Sequence, residues 1–366
     1  MDAEFLSHSD AAILNRNLIL RYVRKHKYVS RTDIWSNMRI SRASVTQIIR
    51  QMQESGLIME AETGRPVRRV NAKGRNPSRN LCVNENSRFM YVFDWNERML
   101  CLVNLGGGIL ENLKLSFPQM CDPKIFAEII MGGIGVLRTA RPIEPGQFLG
   151  FGISMPGLID CRNLTVLNSI ELNWRNVDMR DLFAPEFSEN LFLEQTGNMI
   201  ALGEYEFGVA RDYNHILLIM MEEEGIGTSM VVHGDCQHGH NYMYGELGHI
   251  KLPSDIPCSC GQKGCLEAVV RYHLRRNENR IDTEIIRYLS TAVATAINLY
   301  DPGIVLLTGK LVWRLDDDQL ETMIGSIRDQ VTDGRIRDLA FRVCSEENYM
   351  GIKGMSAHIF NHHFNV

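Results

Sequence analysis

One histidine and three cysteines crowd a short run punctuated by glycine: Gly245-Glu246-Leu247-Gly248-His249, then Cys258-Ser259-Cys260-Gly261-Gln262-Lys263-Gly264-Cys265-Leu266-Glu267. An imidazole and three thiolates make the four N/S donors of a closed tetrahedral zinc site, and glycines let the backbone fold tightly between them. His249, Cys258, Cys260 and Cys265 are therefore the expected ligands of a structural Zn2+ that braces a loop. Two carboxylates flank them, Glu246 three residues before His249 and Glu267 two after Cys265. Held in place by a metal, such acids suit bidentate acceptance of hydroxyl hydrogen bonds, as in polyol recognition, which depends on a rigid supporting shell. A disulfide plus a spare thiol is the alternative use of these cysteines.

The N-terminus shows no charged-then-apolar signal segment, and no apolar run reaches the roughly 18 residues that a membrane span needs. A soluble, cytoplasmic protein with no membrane partner is expected. In a reducing compartment disulfides are rare, so Cys82, Cys101, Cys121, Cys161, Cys236 and Cys344, which lack metal-ligand spacing, are expected as buried small apolar residues.

The 366 residues exceed one hydrophobic core, and charge marks where the first unit ends. Residues 1–80 hold 15 Lys+Arg against 7 Asp+Glu, a balance of +8; the remainder holds 24 against 37, or −13, which restores the net −5. A basic head on an acidic body is an electrostatic footprint for nucleic acid. The pattern inside the head sharpens that reading. A helix is expected from about Ala11 to His26 with Ile13, Leu14, Leu18, Tyr22 and Val23 on its apolar face, and a second opens at Ser30 and carries Ile34 and Met38. Ser41 is a plausible cap for a third helix to about Glu54, where Val45, Ile48, Ile49 and Met52 recur at i, i+3, i+4 and i+7. The opposite face then presents Ala43, Thr46, Gln47 and Arg50, with Arg42 and Ser44 at the leading end, as a recognition helix presents base and phosphate readers to a major groove. After Gly56, a two-stranded wing to Val83 carries Arg65 and Arg75 in short, basic, extended runs suited to a minor groove.

The head looks like the winged helix-turn-helix of bacterial repressors, and together with the cysteine run it resembles one family, ROK, named for repressors, open reading frames and kinases. The matching segments fall in order: Phe89-Met-Tyr-Val-Phe-Asp94, Gly150 to Gly157, Glu194 to Glu204, Gly225-Ile226-Gly227, the zinc segment, and Asn298 to Gly309. The resemblance implies an α/β protein in three parts: a winged helix-turn-helix over residues 1–83, then two lobes of an actin-like, sugar-kinase-like domain over 84–200 and 201–366. It also implies sugar contacts from Gly157, Gln195, Glu246, His249 and Glu267.

Kinases of the family open with Asp-Ile-Gly-Gly-Thr, whose backbone approaches the phosphates; this chain has Asp94-Trp95-Asn96-Glu97-Arg98. Bulky and acidic side chains there oppose a polyanion, which argues against ATP as a cofactor. The kinases' Asn-Asp, whose Asp takes the proton of the attacking hydroxyl, is matched by Gln195-Thr196. A hydroxyl is no general base at neutral pH, and losing such a base costs on the order of 10² to 10⁴ in rate. Glu223-Glu224 before Gly225, and Lys310 after Thr308-Gly309, depart from the pattern as well. No catalytic residue is assigned. The expectation is a transcriptional regulator of carbohydrate metabolism, a repressor before an activator, controlled by a sugar or sugar phosphate. It would bind a palindromic double-stranded DNA operator as a homodimer or a dimer of dimers. An active sugar kinase with a DNA-binding head, and a regulator answering to a protein partner, are the alternatives. The C-terminal segments 282–300 and 355–364 are expected as packing helices, with His358, His362 and His363 at a surface or core edge.

Overall fold

Three helices open the chain: α1 (His8–His26), α2 (Arg31–Met38) and α3 (Arg42–Glu54), followed by the antiparallel pair β1 (Ile58–Glu60) and β2 (Leu81–Val83). A computed structural model describes residues 8–38, 40–61, 80–118, 120–333, 338–345 and 349–364. Arg65 and Arg75 lie outside the described residues.

Ser41 caps α3 by accepting from the Ser44 N–H at 3.1 Å, and Val45, Ile48, Ile49 and Met52 are its buried stripe, as their spacing predicts. The start of α2 is held by Ser30 and Asp33, each side chain accepting from the other's backbone N–H at 3.0 and 3.1 Å. The face of α1 is a correction. Val23 is buried as expected, but its buried apolar partners are Ile19 and Leu20; Leu14, Leu18 and Tyr22 are only half-buried, and Ile13 is 52% exposed. The reason lies outside the helix, whose second half packs both on the head and on the body behind it.

The first lobe runs β3 (Phe89–Asp94), β4 (Met99–Asn104), β5 (Ile109–Lys114), α4 (Pro123–Ala140), β6 (Phe148–Met155), β7 (Leu158–Asp160), β8 (Thr165–Ser169), β9 (Trp174–Asp178), α5 (Met179–Phe187), β10 (Leu191–Gln195) and α6 (Thr196–Glu206). The second runs β11 (His215–Met221), β12 (Ile226–Val232), β13 (Asp235–Cys236), α7 (Leu266–Arg276), α8 (Thr283–Tyr300), β14 (Ile304–Thr308), α9 (Lys310–Trp313), α10 (Asp317–Gln330), β15 (Ala340–Val343) and α11 (Met350–His363).

The two five-stranded sheets share one plan. The first has the order β5-β4-β3-β6-β10 and the second β13-β12-β11-β14-β15; in each, the first three strands are antiparallel and the last two join the central strand in parallel. Every residue of β3 and β14 is buried, as strands covered on both faces must be. β7, β8 and β9 form a separate three-stranded sheet, with β7 against β10 of the first. The expected 200/201 boundary falls inside α6, and α11, expected with the second lobe, packs on β3 and β6 of the first.

α11 lies along α6, and glycine permits the approach. A Cβ on Gly354 would press into the Met199 carbonyl, and one on Gly203 into the Met350 carbonyl. Gly354→Ala should therefore destabilise by about 3 kcal/mol, the upper end of overpacking costs because the obstacle is backbone. A urea midpoint unchanged from wild type would show that the helices can part without cost.

Head and body share a hydrophobic core: Ile19, Leu20, Val23 and Leu81 belong to the same cluster as Met90, Val92, Met199, Leu202, Ile352 and Phe360. Within it Arg24 of α1 stacks its guanidinium on Phe360 at 4.1 Å and Phe207 at 5.0 Å, and none of its three shielded nitrogens has a hydrogen-bond partner among the described residues. Arg211 adds a hydrogen bond to the Lys25 carbonyl at 2.9 Å.

Candidate functional site

His249 ends a 3-10 turn, Leu247–His249, and the cysteines follow in a loop that closes on the start of α7. Their four donor atoms, one each from His249, Cys258, Cys260 and Cys265, all lie within 4.8 Å of one another. Cys258 Sγ is 3.8 Å from His249 Nδ1, and the Cys260 and Cys265 sulfurs are 3.7 Å apart. Metal–sulfur bonds of about 2.3 Å in a tetrahedron give edges of about 3.8 Å, so the donor set fits a metal ion of the zinc class. Gly264 is required here: its φ is +70°, and a Cβ would meet the Leu252 and Ser254 carbonyl oxygens at 2.6 Å. Lys251 Nζ donates to Cys265 Sγ at 3.0 Å. All nine cysteines are free of disulfides.

The two acids gather at this centre. Glu267, in the first turn of α7, puts Oε1 3.2 Å from Cys258 Sγ and 3.7 Å from His249 Nδ1, while Glu246 Oε2 is 3.6 Å from His249 Nε2. Burial raises the Glu246 carboxyl above its ordinary range against the opposing pull of His249. The Glu246 side chain is still the more open of the two acids, 39% exposed against 11% for Glu267. On the first lobe, Gln195 at the end of β10 donates from Nε2 to the Gly157 carbonyl at 3.2 Å. Gly157 has a φ of +112°, and a Cβ there would come within 2.9 Å of Ser169 Cα.

Where the resembling kinases have their phosphate hairpin, this chain has side chains packed on one another. Trp95 is buried and donates from Nε1 to Glu171 at 2.8 Å; Arg98, at φ 51°, stacks 3.3 Å over the Trp95 ring and meets Glu171 at 3.1 Å. Thr196 opens α6 with its hydroxyl buried and no partner for Oγ1 among the described residues. The acidic turn is engaged too, Glu223 with Arg314 at 2.6 Å and Glu224 with Arg271 and Arg275 at 3.4 and 3.1 Å.

Asp94, 1% exposed, accepts from Ser154 Oγ and from the Glu97 N–H at 3.0 Å. Burial raises its carboxyl above the usual range, and those hydrogen bonds only partly offset it. A raised folded pKa means the native state holds the proton more tightly than the unfolded chain. Stability is then greatest below the unfolded value, about 3.9, and falls as pH rises through the folded value. Asp94→Asn should flatten that fall and raise the melting temperature at neutral pH; a parallel pH profile for both proteins would refute the assignment.

On the head, Ala43, Thr46, Gln47 and Arg50 are exposed along α3, as expected. Arg42 stacks over Trp35 at 4.3 Å, Thr46 Oγ1 donates to the Arg42 carbonyl at 2.8 Å, and Arg50 pairs with Glu54 at 2.8 Å. Ser44, expected among the readers, has its hydroxyl 2.8 Å from that of Ser41 at the cap.

Two expectations about the other cysteines change. Cys101, Cys121 and Cys344 are buried, but Cys82, Cys161 and Cys236 are only half-buried. Cys161 joins Glu194 and His238 in a second group whose donor atoms lie within 4.8 Å of one another. Sequence spacing held no signal for it, because the three residues are far apart in the chain. Hydrogen bonds to Cys161 and Glu194 push His238 up to about 10. Burial alone would raise Glu194, but His238 and Asn198 outweigh it and hold that carboxyl low. The tail histidines sit at the core edge around Phe192, and His363 Nε2 is 2.7 Å from the Leu149 carbonyl. Among the described residues no helix is long and apolar enough to cross a membrane.

Known proteins align with this arrangement. The profile of the ROK family matches residues 96–271. A xylose repressor of Bacillus spizizenii is 23% identical over 346 residues, spanning 87% of this chain and 86% of the repressor. A glucokinase of Thermotoga maritima is 33% identical over 176 residues, 45% of this chain and 55% of the kinase. The crystal structure of a ROK family transcriptional regulator, a homolog of the E. coli MLC protein, superposes with a TM-score of 0.77 at 21% identity, covering 96% of both chains. The chain thus carries a ROK family domain over its central segment, residues 96–271, within a fold that matches over nearly its whole length.

Proposed function

We propose that this protein is a sugar-responsive transcriptional repressor whose kinase-like lobes bind a sugar or sugar phosphate without phosphorylating it. One observation carries the reading: a helix presenting Thr46, Gln47 and Arg50 is built into the same core as lobes that keep the acids Glu246 and Glu267 but have Thr196 in place of a base. The likeness to xylose repressors along most of the chain supports it. Residues 1–83 act as a winged helix-turn-helix in which Arg42, Ser44, Thr46, Gln47 and Arg50 approach the major groove, Ser44 through its place at the cap. Arg65 and Arg75 reach the minor groove. The two lobes follow from residue 84, the first ending with α6 and the second beginning at β11, with α11 returning to pack on the first. Zn2+ on His249, Cys258, Cys260 and Cys265 fixes the loop, and Gly157, Gln195, Glu246, His249 and Glu267 meet the sugar hydroxyls, His249 through Nε2 while Nδ1 faces the metal. ATP has no phosphate hairpin to bind.

Coupling follows from α6. Its N-cap is Gln195, beside the sugar residues, and its C-cap, about 18 Å on, is Phe207, against Arg24 of the head. Lobe closure on a sugar moves that rod and with it the spacing of paired heads in a homodimer or dimer of dimers, which lowers affinity for a palindromic operator. Fluorescence anisotropy of the protein on its own upstream DNA, titrated with free and phosphorylated sugars at fixed salt, tests this. Release by one sugar is expected. Binding that no sugar alters would transfer control to a protein partner, and ATP consumption with a hexose would restore the kinase reading that the glucokinase likeness keeps in view.

A further inference from the structure

We propose that Cys161, Glu194 and His238 form a second zinc-class metal site, separate from the four-donor centre, that ties the first lobe to the second. The three donor atoms form a compact triangle, each within 4.8 Å of the other two. They come from three places: Cys161 directly after β7, Glu194 on β10, and His238 two residues beyond β13. Two belong to the first lobe and one to the second.

A thiolate, a carboxylate and an imidazole are a borderline-soft set that suits zinc. Glu194 is 1% exposed, and its Oε2 is already fixed by the Gln195 N–H at 2.9 Å and Asn198 Nδ2 at 3.1 Å. That leaves Oε1, the oxygen in contact with His238, facing the triangle. Such outer hydrogen bonds are what orient a ligating carboxylate. A buried Glu–His ion pair alone would account for two of the three groups. It gives no reason for a thiol to complete the triangle, nor for what lies beside it. Cys161 and His238 line a cleft of about 540 Å³ together with Arg162, Asn163, His240 and Tyr242. Three protein ligands with an open fourth side match sites that keep a position for water or an exchangeable ligand rather than closed structural ones. On metal entry the imidazole and carboxylate separate from direct contact, so the ion comes between the lobes.

Zinc content and affinity of the full-length protein decide the matter. After equilibration with zinc and removal of excess, Cys161→Ala should hold one zinc fewer per chain than wild type, as should Cys260→Ser, through the other centre. His238→Gln, which still hydrogen-bonds Glu194, should lose the same ion, and its loss should persist if Cys161→Ala proves unstable. Competition with a chelating dye should place the affinity of that ion at least about tenfold lower in either variant. Added zinc should raise the melting temperature of wild type more than that of His238→Gln. Equal zinc content in wild type, Cys161→Ala and His238→Gln would overturn the site.

Discussion

Serine at position 260 should empty the four-donor centre. Cys260 is the exposed member of the set, so the substitution removes a ligand without opening a cavity in the core. A structural zinc contributes about 10–16 kcal/mol shared among four ligands, so losing one thiolate should cost about 3 kcal/mol, roughly 100-fold in metal affinity. The consequence reaches the sugar. Glu246 and Glu267 are placed through His249 and Cys258, and once those are released both acids regain rotamers that must be frozen again on binding. Sugar affinity should fall about tenfold or more, measured by titration calorimetry alongside metal analysis. Metal-free wild type that binds sugar with full affinity would show that the loop holds itself.

Arg50→Ala should weaken specific operator binding by about 1–3 kcal/mol, some 5- to 150-fold, while changing binding to random DNA far less. Alanine favours a helix, and the exposed Arg50–Glu54 pair at 2.8 Å is worth only about 0.3–0.5 kcal/mol, so the fold should survive. That makes the result interpretable: an unchanged melting curve with lost specificity places Arg50 on a base edge. Unchanged operator affinity would move the reading face elsewhere on α3.

Local chemistry was legible in the sequence, and long-range assembly was not. His249, Cys258, Cys260 and Cys265 lie within one short run, so their spacing alone brings them together. The stripe Val45, Ile48, Ile49 and Met52, the Ser41 cap and the strand Phe89–Asp94 likewise depend on near neighbours, and all appear where the pattern puts them. The face of α1 was read only in part, with Val23 placed and Ile19 and Leu20 missed, because periodicity reports one apolar stripe whereas these residues belong to a cluster that takes in both the head and α11. The order of strands within the two sheets could not be read from near neighbours, since it is set by pairings that many side chains satisfy. Cys161, Glu194 and His238 meet only through topology.

The burial of Arg24 also bears on how the molecule melts. A reading head on a flexible tether would unfold on its own and leave the body standing. Here an arginine of α1 is shielded between Phe207 and Phe360, and residues of the head share one apolar cluster with β3 and α11. Taking the head away exposes that cluster in both partners and ruins the packing of each. Heating should therefore give one transition for head and first lobe together, seen alike by a probe in α3 and a probe in β3. Operator binding should then stabilise the lobe as much as the head.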